Sequence, residues 1–229
     1  MTLPPQSILS HVSTQGHGAL LATALVNIQT GRGIHTFRAL LDPCSQETFI
    51  SEAAVHKMQL RRKLVQGQVT GVGQMTSSIK HAVEVEVLSR VDNNFKIKCR
   101  AYVIKHVTDI MPVREINHKH WTQFENLTLA DSTYHRPGQM DLLLGVKVYT
   151  DVIMNGMVKS NPGTPIAQQT HLGWVLSGGI PDEEHGSQGN IVSMHLNVSL
   201  DHMLQRFWEI ETLDTNKKTT LTLLEKRAE

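Results

Sequence analysis

One aspartate of this chain, Asp42, occupies a position where a carboxyl group could do chemistry. It follows two bulky residues, Leu40 and Leu41, and precedes a short loop, after which a new apolar stretch begins at Phe49. This order places one ionisable carboxyl at the end of a predicted strand, so Asp42 is a candidate catalytic residue. Without such flanking residues an aspartate is more often a turn or cap residue, because its side chain readily bonds nearby backbone.

Three other sets of residues have weaker patterns. Asp131 begins an Asp-Ser-Thr sequence, but no bulky pair precedes it and no glycine follows, so we interpret it as a loop residue. Cys44 lacks the signature of a Cys/His nucleophile and is predicted to be a packing residue. His118, His120 and His135 lack a third ligand at clear spacing, which favours a solvated loop over a metal site.

Composition excludes several function classes. Lysine and arginine total 22 against 21 acidic residues, so the net charge of +1 gives no reason to expect a nucleic-acid or membrane partner. No run of about 18 apolar residues and no signal-peptide pattern is present, and we expect an intracellular, cytoplasmic protein. Cys44 and Cys99 lack Cys-x-x-Cys spacing, which indicates neither a disulfide framework nor a thiolate zinc site.

The elements that position these residues are mostly predicted strands. They cover residues 19–26, 36–41, 49–50, 65–73, 77–88, 95–104, 141–145, 147–153 and 166–176. Residues 30–33 predict a hairpin turn, and the alternation of Val83, Val85 and Val87 with glutamates predicts a half-exposed strand. Ser51 predicts the N-cap of a short helix, whereas residues 111–133 are polar and irregular.

Composition also divides the chain. We predict an N-terminal lead-in over 1–18, a single domain over 19–178 and a polar, glycine-containing linker over 179–199. Residues 200–229 follow, with apolar residues at helical spacing over 200–209 that predict an amphipathic helix.

Three motifs resemble the aspartic peptidases of Pao/BEL-type LTR retrotransposons, which are related to the retropepsins. They are Arg-Ala-Leu-Leu-Asp at 38–42 followed by Ser45-Gln46, Asp-Leu-Leu-Leu-Gly at 141–145, and the most specific one, residues 165–178 with Leu-Gly-Trp and Ser-Gly elements. The resemblance runs from about residue 20 to residue 178. Residues 204–211 resemble the stretch that leads into the reverse transcriptase of such polyproteins, so the tail is interpreted as the truncated start of that region.

The resemblance implies a retropepsin-like acid-protease lobe: a mostly β, closed and barrel-like fold with a short helix and a C-terminal helical tail. It implies peptide-bond hydrolysis by water activated between Asp42 and the same residue of a second copy, because one lobe supplies half of the pair. The expected protein is a homodimer that cuts a polypeptide, its own polyprotein, and uses no cofactor and no metal.

The same resemblance implies supporting roles for two further groups of residues outside the catalytic loop. Leu143, Leu144 and Gly145 form the strand beside the catalytic loop, where glycine allows close backbone approach. The turn of Gly71, Val72 and Gly73 corresponds to a flap that closes over substrate.

Retropepsins carry Asp-Ser/Thr-Gly at the catalytic triplet, and this chain carries Asp42-Pro43-Cys44. Proline removes a backbone donor and the hydroxyl that braces the two loops across the dimer axis. Cysteine adds a Cβ where the loop packs tightly, although its N–H can still reach the Asp42 carboxylate. Ser45 is the candidate for part of the lost bracing.

These departures keep a second interpretation open, a catalytically inactive retropepsin-like module that dimerises or binds peptide. A third, a cellular relative of the retropepsins, is disfavoured by the tail at residues 207–211.

Overall fold

The computed structural model describes residues 18–70, 76–118, 121–159 and 162–180, and within them the chain is mostly β. The strands are β1 (Gly18–Leu20), β2 (Thr23–Thr30), β3 (Gly33–Leu41), β4 (Thr48–Ser51), β5 (Lys63–Thr70), β6 (Thr76–Leu88), β7 (Lys96–Ile104), β8 (Leu142–Leu144), β9 (Ile153–Val158), β10 (Ile166–Thr170) and β11 (Gly173–Ile180). The helices are α1 (Glu52–Met58), α2 (Val146–Val152) and one 3-10 turn (Thr122–Phe124). In this described part of the chain, no helix has the length and apolar character needed to cross a membrane.

Six strands close into a barrel in the order β2-β3-β8-β4-β7-β6. The closing contact is made by β6 on β2, where Asn27 pairs with Leu88 and Ile28 with Val87. Strand β5 pairs with β6 and forms a hairpin with it, but it is not one of the six strands of the barrel. The predicted mostly β, closed fold is therefore confirmed at the level of architecture.

The strand predictions follow the alternation of the barrel wall. On β6, Val83, Val85 and Val87 are buried in the interior cluster while Glu84 is exposed, which confirms the predicted period of two. Gly33 closes the predicted hairpin turn at φ 130°, a backbone conformation that favours glycine.

The predicted helix N-cap is also confirmed. Ser51 precedes α1, and its hydroxyl accepts the Ala54 N–H at 3.1 Å. The same hydroxyl donates to Asp141 Oδ1 at 2.7 Å, so this cap also ties α1 to the residue that precedes β8.

Strand β8 lies between β3 and β4, which are close neighbours in the sequence. It runs parallel to β3, with Leu144 opposite Leu41, and antiparallel to β4, with Leu142 opposite Ile50. Leu142 and Leu144 face the barrel interior, whereas Leu143 belongs to the apolar cluster on the opposite face. Because both faces of β8 are covered, the strand is apolar throughout instead of alternating.

The prediction of a strand over residues 147–153 is wrong. These residues form α2, and strand β9 begins at Ile153. Val148 and Val152 are four residues apart, so a helix brings both onto the barrel core, where they are 2% and 0% exposed. Their β-branched side chains favour a strand locally, and packing on the barrel overrides that preference.

A second sheet has the antiparallel order β1-β11-β10-β9. Its apolar face is covered by the segment between β7 and β8, through Trp121, Phe124 and Tyr134. The expected irregularity is confirmed for residues 111–118 and 121–133, but this segment is a part of the core and not a polar loop. Gly18 of β1 pairs with Ile180 of β11. The predicted tail helix lies outside the described residues.

Candidate active site

Asp42 directly follows β3, and the backbone at this point is held on two sides. The Asp42 N–H donates to the Leu144 carbonyl at 3.0 Å, which continues the β3–β8 ladder by one residue. The Leu41 N–H donates to the Ala22 carbonyl at 2.9 Å. Asp42 itself is half-buried, so a fixed strand end carries a carboxylate within reach of solvent.

The loop of Pro43, Cys44 and Ser45 orients Asp42 through backbone groups. The Cys44 N–H donates to Asp42 Oδ1 at 2.9 Å, and the Ser45 N–H donates to the Asp42 carbonyl at 3.3 Å. Pro43 contributes a restricted φ and no donor. The Ser45 hydroxyl donates to the Glu47 carbonyl at 2.8 Å, so it is engaged within its own chain.

Gly145 packs directly on the backbone of this loop. Its N–H donates to Thr48 Oγ1 at 3.2 Å, and the next N–H, of Val146, donates to the Ser45 carbonyl at 2.8 Å. A Cβ at position 145 would lie 2.6 Å from the Glu47 carbonyl carbon and 2.9 Å from the Ser45 oxygen. Only glycine permits this approach, and Leu143, Leu144 and Gly145 therefore form the wall behind the Asp42 loop.

Two other carboxylates are already paired with cations. Glu47 Oε1 lies 2.6 Å from Lys147 Nζ, and Asp131 Oδ2 lies 2.8 Å from Arg38 Nε. Asp131 is a loop residue as predicted, but its side chain is 1% exposed. Among the described residues, no ion pair with a Lys, Arg or His side chain involves Asp42.

The candidate flap of Gly71, Val72 and Gly73 lies outside the described residues. The arms that lead to it, β5 and β6, pair up to Thr70 opposite Thr76. Apolar residues of these arms pack on the outward face of β3, β4 and β8; the cluster includes Val65, Val69, Ile79, Leu40, Phe49 and Leu143. The hairpin is thereby anchored on the strands that flank the Asp42 loop.

The two cysteines are free and lie in different surroundings. Cys44 is exposed, so the prediction that it is a packing residue is wrong; what it brings to the site is its backbone N–H. Cys99 is half-buried, and burial together with the negative charge of Glu84 raises the pKa of its thiol to about 11. A raised pKa favours the protonated thiol of Cys99 at neutral pH.

His118 and His135 are brought together by the fold. Their ring centroids are 4.2 Å apart, and both rings contact Tyr134 edge-on. Both residues lie in loops, as predicted, but their side chains are half-buried instead of fully solvated, while His120 lies outside the described residues. Within the described ranges, no group of three or more His, Cys, Asp or Glu side chains is arranged to hold a metal ion.

No protein-family model matches this chain, and no curated protein matches it.

Proposed function

We propose that this chain is the aspartic-endopeptidase region of a Pao/BEL-type retrotransposon polyprotein, a retropepsin-like lobe with Asp42 as the catalytic residue. The observation that carries the proposal is the placement of Asp42. Its main chain is bonded to Leu144 of a strand that passes between β3 and β4, and its carboxylate accepts the Cys44 N–H. A carboxylate held on a rigid strand end suits one half of an acid–base pair.

In the proposed reaction, Asp42 and its counterpart from a second copy share one proton, because two carboxylates in contact cannot both ionise. The ionised carboxylate takes a proton from water, which attacks the scissile carbonyl carbon. The protonated carboxyl donates to the carbonyl oxygen, which gives a tetrahedral intermediate. The C–N bond then breaks as the carboxyl that took the proton from water gives it to the leaving nitrogen, and the products are a carboxylic acid and an amine. The Cys44 N–H orients one carboxylate oxygen, and no cofactor takes part.

A homodimer follows from the same chemistry. One lobe provides one Asp42 carboxylate, so the pair is completed by a two-fold axis that passes between two copies of Asp42. Pro43 and Cys44 are exposed on this loop, where they are accessible to a second copy. The substrate is a polypeptide, and the element's own polyprotein is the first candidate.

A second candidate function is a non-catalytic module that dimerises or binds peptide. It is favoured by the lack of a free hydroxyl group in the Asp42 loop. Pro43 has no hydroxyl, and the Ser45 hydroxyl donates to the Glu47 carbonyl of its own chain. In retropepsins the Ser or Thr hydroxyl of the triplet braces the two active-site loops across the dimer axis. Neither Pro43 nor Ser45 offers a free hydroxyl for that bond.

Peptide cleavage tests the enzymatic proposal. Purified protein is incubated with unfolded casein and a mixed peptide library between about pH 4 and pH 7, and products are read by mass spectrometry. Asp42→Asn keeps the side-chain shape and removes the ionisable carboxyl, and we expect it to lower the rate by at least about a thousand-fold. The matched control is Asp151→Asn, an exposed aspartate of α2, which should cut like the wild type.

The outcomes separate the two functions. Cleavage by the wild type and Asp151→Asn, blocked by pepstatin and absent in Asp42→Asn, supports the enzyme. If all three proteins are folded dimers and none cuts, the enzymatic proposal fails and the peptide-binding module remains. Undiminished cleavage by Asp42→Asn would exclude Asp42 as the catalytic residue.

A further inference from the structure

Arg38 of β3, four residues before Asp42, carries the most completely bonded side chain near the candidate site. A guanidinium has five N–H donors, and here each of them has an acceptor. The acceptors are Asp131 Oδ2 for Nε (2.8 Å), the Met111 and Arg136 carbonyls for Nη1 (3.2 and 3.0 Å), and the Thr133 carbonyl and hydroxyl for Nη2. The side chain is 7% exposed, so none of these bonds is a solvated surface contact.

Both carboxylate oxygens of Asp131 also have hydrogen-bond donors. Its Oδ2 accepts the Thr23 hydroxyl at 2.9 Å in addition to Arg38. Its Oδ1 accepts the N–H of Thr133 at 2.8 Å and the Thr133 hydroxyl at 2.7 Å. The Thr133 hydroxyl thus donates to Asp131 and accepts from Arg38, which closes the network without an unused polar atom.

A buried ion pair of this kind is weak evidence for stability, because desolvation of both charges offsets their attraction. Unlike apolar contacts, the hydrogen bonds of the ion pair require their donors and acceptors to be aligned. Three of the acceptors are backbone carbonyls, at Met111, Thr133 and Arg136, and they reach the guanidinium only if the segment between β7 and β8 follows one path. Apolar contacts would tolerate a shift of that path, and these hydrogen bonds do not.

The same segment continues directly into β8. Gly138 lies against the guanidinium, where a Cβ would be 2.5 Å from Arg38 Nη1. Three residues later the Asp141 N–H donates to the Arg38 carbonyl at 3.0 Å, and β8 begins with Leu142. Side chain and main chain of Arg38 therefore hold the start of the strand whose other end bonds the Asp42 N–H.

We infer that the Arg38–Asp131 pair is a positioning device, which sets β8 against β3 and thereby holds Asp42 and Gly145 in place. Its importance for cleavage rests on the proposed function. Its effect on the order of the loop does not, because the bonds from Arg38 to β8 and from β8 to Asp42 exist whether or not the loop is catalytic.

Backbone amide exchange followed by NMR tests this inference in the full chain. We expect Arg38→Met and Asp131→Asn to speed exchange at Asp42 and Gly145 at least about tenfold relative to the β6–β7 ladder. Gly138→Ala keeps both charges but crowds the guanidinium, and it should have the same local effect. The control is Val55→Ala on α1, a barrel-core position that is 1% exposed, which lowers global stability and lies outside both the pair and the β6–β7 reference ladder.

Each result has one meaning. If exchange at Asp42 and Gly145 rises no more than it does in the β6–β7 ladder, the pair is only a general stabiliser and the inference is overturned. Should Arg38→Met fail to fold, Asp131→Asn and Gly138→Ala decide the matter by the same criterion. In a protein that cleaves peptide, a positioning role lowers kcat while KM changes little. Selective exchange in a protein that never cleaves supports the positioning device and contradicts the proposed function.

Discussion

At the scale of single residues, His135 makes the segment between β7 and β8 sensitive to pH. Burial lowers the pKa of His135, and the nearby positive charges of His118 and Arg136 add to this effect, while Glu115 and Asp131 oppose it. The folded protein therefore binds this proton less readily than the unfolded chain does. The stability that depends on neutral His135 is complete above the unfolded-state pKa of about 6.5 and is lost as the pH falls through it toward the lower folded-state value.

We expect His135→Gln, which cannot be protonated, to flatten the decline in the free energy of unfolding between about pH 7.5 and pH 5.5. The effect should be modest, because His135 is only half-buried. Urea unfolding at several pH values measures it. The matched control is His56→Gln, an exposed histidine of α1, and an equal slope in both variants would contradict the assignment.

At the scale of elements, the contact between β8 and the Asp42 loop depends on the absence of one side chain. We expect Gly145→Ala to lower the free energy of unfolding by about 1–3 kcal/mol, because the new Cβ overlaps the backbone of Glu47. The loop is the part that can yield, so amide shifts should change most between Asp42 and Glu47. Gly31→Ala is the control, since nothing lies within 4 Å of a Cβ there. Equal stability of the two variants, measured by thermal unfolding, would show that the loop accommodates a side chain.

At the scale of the whole molecule, the proposed dimer gives a quantitative expectation. When wild type and Asp42→Asn are unfolded together in equal amounts and refolded, random pairing leaves about a quarter of the dimers with two carboxyl groups. Cleavage per total protein should therefore fall to about a quarter of the wild-type value, and not to the half expected of independent subunits. Mixing with Asp151→Asn should leave the rate unchanged. A fall to one half would contradict a site shared between two copies.

Local chemistry accounts for much of what the sequence predicted correctly. The period of two on β6, the turn that ends at Gly33 and the N-cap at Ser51 each depend on residues a few positions apart. Such short-range signals are readable without knowledge of the fold. The error over residues 147–153 has the opposite cause, because Val148 and Val152 of α2 pack on the barrel core, which is built from residues distant in the sequence.

The features of the candidate site are also of two kinds, local ones and contacts between residues far apart in the chain. The sequence by itself determined that Asp42 ends a strand and that an N–H of its own loop can reach its carboxylate, since both are local. Only the tertiary structure decided that β8 passes between β3 and β4 and that Arg38 meets Asp131 in the interior. These contacts join residues far apart in the chain. Which distant partners meet is decided by closing the barrel and burying its core, and no local pattern carries that information.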